Sequence, residues 1–328
     1  MLYSIAAIVL GLGLLVWSAN RFVDGAAASA KHLGVSTLII GIIVIGFGTS
    51  APEIGVSIIA VLENTPDIAI GNALGSNIAN IGLILGITAI LVPIPVASRM
   101  LKTEFPILLF ATAVMAWCLY DLKLGFSDGI LLLGLLVLTL YVLIREHRRH
   151  PVDYAKADHE SDEMVHEMSI AAAIGWLLLG LIVLVGSSKL LVWGASNIAL
   201  SFGISELIIG LTVVALGTSM PELAASIASL RKGQPDLAIG NVIGSNLFNS
   251  LAVIGIPALL IDFNIDASAV SRDLPVVVGM TLVLLLMSRF PSTQPGRLTR
   301  LKGILLLTGF VIYQLYLYYE VSTGSSQI

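Results

Sequence analysis

Long apolar runs alternate with short polar breaks along the chain, and ten of the runs approach the ~20 residues that a membrane-crossing helix needs. They fall near 2–19, 37–61, 67–92, 104–120, 127–144, 170–193, 206–229, 236–260, 273–288 and 301–319. The text from Asn20 to Ala30 and from Leu191 to Leu200 stays fairly apolar, so the first helix of each half is expected to run on as a long, tilted span. Five runs precede and five follow Arg145–Met168, the only long polar stretch. The expected organisation is therefore a five-helix repeat over 1–144, a linker over 145–168 and a second five-helix repeat over 169–328. An odd number of spans per repeat brings the second repeat into the membrane from the opposite side. The expected fold class is thus an all-α polytopic membrane protein with ten transmembrane helices in two inverted repeats.

Polar residues interrupt the apolar runs in a repeated way. Gly46–Asn80 contains GFGTSAPE and then PDIAIGNALGSNIAN, and Ala215–Asn249 contains ALGTSMPE and then PDLAIGNVIGSNLFN. The offset is constant: 222 − 53 = 169, 236 − 67 = 169 and 249 − 80 = 169. Gly11, Gly25, Gly34 and Gly41 align with Gly180, Gly194, Gly203 and Gly210 at the same offset. Each copy sets a glutamate inside a membrane-depth run, at a cost of roughly 2.5–3.5 kcal/mol or more. Neither motif contains a basic residue to neutralise it. Two such charges in two related halves point to a cation site of a transporter.

Composition sharpens the class. Hydrophobic residues make up 57% of the chain and charged residues 12%, with a mean hydropathy of +0.97. Soluble domains carry about a quarter charged residues, so lipid is the solvent here. The net charge of −4 says little; the placement of Lys and Arg says more. With the N-terminus outside, all of the 17 Lys and Arg residues except Lys123, Arg272 and Lys189 lie on the cytoplasmic side, which places both termini outside. The N-terminal run has no basic flank or small-residue cleavage site and reads as the first span. Cys118, the sole cysteine, reads as a buried thiol. The linker holds four of the five histidines, without metal-ligand spacing, and reads as a solvated connection.

The motifs suggest a site in detail. Pro52 and Pro221 cannot donate to the carbonyl four residues back, so both helices should kink and free backbone oxygens. Thr49 and Ser50 precede Glu53 by four and three residues and share its face; Thr218 and Ser219 stand in the same relation to Glu222. In the next helix Asn72, Ser76 and Asn80 form an i, i+4, i+8 stripe, repeated by Asn241, Ser245 and Asn249. Gly71 with Gly75, and Gly240 with Gly244, have the small-xxx-small spacing of close helix packing. All the donors are hard oxygens, which suit Ca²⁺ and Na⁺ and disfavour soft metals. Asp67 and Asp236 are expected to cap helix starts. Ser57 and Thr112 should bond back to their own helices, and Asn77 and Asn246, off the stripe, should hold helix ends or opened backbone.

These paired motifs resemble the alpha repeats of the cation/Ca²⁺ exchanger superfamily, and most closely the bacterial and archaeal Na⁺/Ca²⁺ exchanger-like proteins of the inner membrane. G-T-S-x-P-E with G-S-N-x-x-N stands in each half. The resemblance implies a multi-pass inner-membrane protein in which Glu53 and Glu222, with the backbone oxygens of Thr49 and Thr218, hold Ca²⁺ near the midplane. It implies flanking Na⁺ ligands at Ser50, Ser76, Ser219 and Ser245, carbonyls from Gly46 and Ala215, and central polar positions at Asn80 and Asn249. It also implies that the long first span of each half slides against a packed core. One departure stands out: many exchangers carry aspartate where Asn249 stands.

The leading expectation is a Na⁺/Ca²⁺ antiporter working by alternating access, with Ca²⁺ and Na⁺ as transported ions rather than cofactors. A Ca²⁺/H⁺ antiporter on the same repeats is the alternative; the motif serines favour Na⁺, because a proton needs no such cage. A cation channel would need weak, multi-site binding along a continuous pore. No nucleophile–base pair suggests an enzyme. The lipid bilayer is the expected partner besides the ions, with no nucleic acid; the expected state is a monomer, and the sequence names no protein partner.

Overall fold

Hydrocarbon offers backbone N–H and C=O groups no partner, so a chain this apolar must satisfy them within its own helices. In a computed structural model, which describes residues 1–97, 99–149, 168–202, 215–290 and 296–323, the chain is almost wholly helical. The helices are α1 (Leu2–Leu33), α2 (Thr37–Thr49), α3 (Ala51–Leu62), α4 (Pro66–Leu91), α5 (Glu104–Leu119), α6 (Phe126–Arg149), α7 (Ile170–Ser201), α8 (Ala215–Thr218), α9 (Met220–Arg231), α10 (Pro235–Leu260), α11 (Ala269–Arg289) and α12 (Arg300–Thr323). Among the described residues, seven helices are long and apolar enough to cross a membrane: α1, α4, α6, α7, α10, α11 and α12. The pair α2/α3, bent by 41°, makes an eighth span if read as one. Helix α5 has 16 residues and rises only about 24 Å, short of the usual core thickness. The expected span near 206–229 begins outside the described residues, as do Gly203, Gly210 and nearly all of the linker.

Helices α1 and α7 each run 32 residues, the long first spans expected of each half. Gly34, at φ 61°, ends α1 and returns its N–H to Ala30 and Lys31 carbonyls, a left-handed cap that glycine adopts without strain.

The chain folds into two compact units, Met1–Pro52 with Leu140–Ser245, and Glu53–Thr139 with Asn246–Ile328. Each unit thus combines segments of both sequence halves. In the first, α1 and α7 pack antiparallel along glycines. A Cβ on Gly11 would lie 3.2 Å from Leu191 and Ser187, one on Gly180 2.7 Å from Phe22, and one on Gly194 2.7 Å from Ser4. Leu15, Phe22, Val23, Leu184, Ala225 and Leu237 centre the apolar core of this unit. Helix α2 crosses α10 at backbone contact: a Cβ on Gly240 would stand 2.6 Å from the Leu38 carbonyl, and one on Gly244 would collide with the Ile42 carbonyl.

In the second unit, α4 packs on α12, where a Cβ on Gly82 would lie 2.6 Å from Phe310. Two short antiparallel pairs tie its loops: β1 (Ile94–Pro95) with β4 (Arg297–Leu298), and β2 (Lys123–Leu124) with β3 (Phe263–Asn264). Arg272 bonds both oxygens of Asp273 and one of Glu320, and Tyr313 donates to Asp273 at 2.8 Å, joining α11 to α12.

Several expectations are corrected. Gly71 and Gly75 do not mark a close crossing, since a Cβ on either meets nothing within 4 Å among the described residues. Asp67 does lie in the first turn of α4, as expected, but its carboxylate accepts from the Asp266 N–H, and the N-cap position is Thr65. Thr112 does bond back, to Leu108 at 2.8 Å. Ser57 instead donates across to the Ala69 carbonyl. Cys118 is buried, as expected.

Candidate functional site

The two motif copies open their helices in the same manner. Helix α2 ends at Thr49, Ser50 leaves the helical region at φ −85°, ψ 0°, and α3 restarts at Ala51. In the second copy α8 ends at Thr218, Ser219 sits at φ −89°, ψ 3°, and α9 restarts at Met220. The break therefore falls two residues before each proline. Pro52 and Pro221 lie in the first turn of the new helix, where a missing N–H is tolerated. Glu53 and Glu222 occupy that same first turn, where the helix N-terminus favours negative charge. Both are buried, at 0% and 1% exposure.

Each restarted helix is pinned by an asparagine. Asn72 Nδ2 donates to the Glu53 carbonyl at 3.0 Å and to Ser57 Oγ at 3.1 Å. Asn241 Nδ2 donates to the Glu222 carbonyl at 3.1 Å and to Ser226 Oγ at 2.9 Å. These asparagines were expected to line the carboxylates as part of a polar stripe; their amide nitrogens hold the main chain instead. Ser226 is the residue that motif reading missed, and Ser57 was given only a bond back to its own helix, although 57 + 169 = 226 was available as a signal.

Within the first unit, residues of both motif copies meet. Thr49 Oγ1 donates to Asn241 Oδ1 at 3.0 Å and lies 3.3 Å from Ser245 Oγ. Ser245 Oγ reaches the Gly46 carbonyl at 3.5 Å, which also accepts the Ser50 N–H at 3.1 Å. The hydroxyls of Thr49 and Ser50 face the Glu222 carboxylate. Neither Glu222 oxygen has a partner within hydrogen-bonding distance among the described residues, and the buried hydroxyls of Ser50 and Ser219 have none either. Thr218 is half-buried, and Ala215 lies in α8.

The second unit holds the remaining motif residues. Ser76 is buried in α4. Asn80 and Asn249 each open a π-helical turn, Asn80–Ile84 and Asn249–Val253, a distortion frequent at functional sites. Asn80 Nδ2 donates to Asn246 Oδ1 at 3.2 Å, and Asn77 Nδ2 to Ser250 Oγ at 3.0 Å. Asn77 and Asn246 therefore bond side chains across the repeat rather than helix ends, because the π turns already re-pair the backbone locally. Asn249, fully buried, has neither amide atom partnered among the described residues.

The donor set is carboxylate, hydroxyl, amide oxygen and main-chain carbonyl, the hard oxygens that Ca²⁺ and Na⁺ accept in irregular geometry. No cluster of three or more His, Cys, Asp or Glu occurs among the described residues.

The family model for "Sodium/calcium exchanger protein" matches residues 3–145 and 172–319. The chain belongs to that family. CaxA of Alkalimonas amylolytica is 46% identical over 318 residues, covering 97% of this chain and 99% of the relative. Inner membrane protein YrbG of Escherichia coli K12 is 41% identical over 322 residues, covering 97% and 98%. Among solved structures, the sodium-calcium exchanger NCX_Mj soaked with 2.5 mM Na⁺ and 0.1 mM Ca²⁺ superposes with a TM-score of 0.79 at 33% identity, covering 94% of this chain and 96% of that one. The protein is a multi-pass inner-membrane antiporter of the cation/Ca²⁺ type, not an enzyme.

Proposed function

We propose that the protein exchanges Na⁺ for Ca²⁺ by alternating access, with Glu53 and Glu222 supplying the charge that binds the ions. The observation that carries this reading is the Glu222 carboxylate: buried, with neither oxygen in a hydrogen bond among the described residues, and lying beside the hydroxyls of Thr49 and Ser50. A carboxylate without compensation in a low-dielectric interior costs several kcal/mol, and a bound cation removes that cost. Na⁺ ions and Ca²⁺ compete for the same oxygens, so neither holds the site against an excess of the other. Gly46, Ala215, Ser76, Ser219, Ser245, Asn80, Asn249 and Thr218 complete the ligand set in this reading. It also takes the chain as ten spans in two inverted five-helix repeats, 1–144 and 169–328, joined by the cytoplasmic linker, with both termini outside and a single copy as the working transporter.

The test is radioactive Ca²⁺ uptake into proteoliposomes loaded with Na⁺, with K⁺, or under an outward proton gradient. Uptake driven by internal Na⁺ alone is expected. Uptake driven by the proton gradient alone would refute Na⁺ coupling and assign the glutamates to Ca²⁺/H⁺ exchange.

A further inference from the structure

The proline of each motif deprives one carbonyl of its helical partner: Pro52 that of Gly48, and Pro221 that of Gly217. In the second copy this carbonyl is not left open. Ser188 of α7 donates its Oγ to the Gly217 oxygen at 2.6 Å. The contact is built, not incidental. Ser188 is buried at 4% exposure, and Val192, one turn further along α7, presses on Gly217 so closely that a Cβ there would collide with it. The adjacent Ser187 shows the ordinary alternative, donating back to Leu184 of its own helix at 2.9 Å.

The repeat offset exposes an asymmetry. Position 188 − 169 is Ala19 in α1, which has no hydroxyl. A Cβ on Gly48 would meet Leu181 of α7 and Phe22 of α1, at 3.1 and 3.6 Å, not a serine. The two opened segments, alike in sequence, therefore have different surroundings.

We infer that Ser188 is a positioning residue for the second motif: its hydrogen bond to Gly217 ties the opened backbone before Glu222 to the long helix α7, and the first motif lacks this tie. The inference deepens the proposed antiport and rests on it. Any movement of α7 is carried through Ser188 to the segment bearing Thr218, Ser219 and Glu222. Loss of the tie disturbs the second motif's ion ligands and leaves the first motif's own donors in place, so Na⁺ and Ca²⁺ binding change unequally.

The experiment compares wild type with Ser188→Ala and Ser188→Thr in proteoliposomes, and reads amide hydrogen exchange over Ala215–Glu222 in detergent. Loss of one buried hydrogen bond predicts a change of about two- to tenfold in the ratio of half-saturating Na⁺ and Ca²⁺ concentrations for Ser188→Ala, with a smaller change in maximal rate. Exchange over Ala215–Glu222 should accelerate in the same variant. Ser188→Thr, which keeps the hydroxyl, should restore both. An unchanged ratio in Ser188→Ala, or equal disturbance in both variants, overturns the inference, the second result pointing to packing on Gly217 alone. A wild-type protein that exchanges no Ca²⁺ for Na⁺ refutes the functional reading instead. The amide exchange then decides the Ser188 tie on its own: faster in Ser188→Ala and restored in Ser188→Thr supports it, and unchanged overturns it.

Discussion

Asn72 and Asn241 occupy equivalent positions in the two motif copies, yet replacing them with alanine should have unequal cost. Asn241 makes three hydrogen bonds to the Glu222 carbonyl, Ser226 and Thr49, and is fully buried. Asn72 makes two, to the Glu53 carbonyl and Ser57, and is only partly buried. Side-chain hydrogen bonds in membrane proteins contribute about 0.6 kcal/mol on average and up to about 1.7. Three bonds give about 2 kcal/mol for Asn241→Ala and two give about 1 kcal/mol for Asn72→Ala. The gap widens because Asn241→Ala strands the buried Ser226 hydroxyl, whereas Ser57, equally buried, keeps its bond to the Ala69 carbonyl. Reversible unfolding in mixed detergent micelles, followed by far-UV circular dichroism, measures both. A double-mutant cycle with Thr49→Val should recover a coupling of about 0.6–1.7 kcal/mol with Asn241. Equal losses at the two positions, or a larger one at Asn72, would refute the reasoning that bond count and burial set the cost.

Glu53→Gln and Glu222→Gln should each bring Na⁺-dependent Ca²⁺ uptake to background while leaving the unfolding midpoint close to wild type; near-normal exchange in either would remove that carboxylate from the site. Asn249→Asp should keep transport but change its pH dependence, since it adds a titratable carboxyl to the two glutamates of the proposed site, charged only when deprotonated. Flux assays that give the wild-type profile would refute this and place Asn249 away from the ions. Lys232 Nζ meets Asp24 at 2.7 Å with both side chains part-exposed, so Lys232→Met should cost about 0.2–1 kcal/mol, and raised salt should shrink the difference in unfolding free energy.

Much of this protein is legible in one dimension. The two 32-residue helices, the paired breaks before Pro52 and Pro221 and the burial of both glutamates follow from hydropathy, from proline's missing N–H and from the 169-residue repeat. The repeat does not show how far its copies diverge in space. It aligns Gly71 and Gly75 with Gly240 and Gly244, but among the described residues only the second pair meets another backbone. It aligns Asn80 with Asn249, but among the described residues only Asn80 gains a partner. Periodicity places Asn72 and Asn241 on a polar stripe; which group each amide meets depends on how α4 and α10 approach the broken helices.

What the sequence determined, then, is the solvent, the element types and the inventory of hard oxygen donors, because these follow from local chemistry: lipid demands helices, proline opens them, and carboxylates at depth demand cations. Only the tertiary structure decided which donors are already taken. Thr49 joins Asn241, Ser188 takes the Gly217 carbonyl, and Glu222 is left without a hydrogen bond among the described residues. Such pairings are distances between side chains far apart in the chain. They are set by packing at the glycine crossings of α1 with α7 and α2 with α10, and no local pattern encodes those distances.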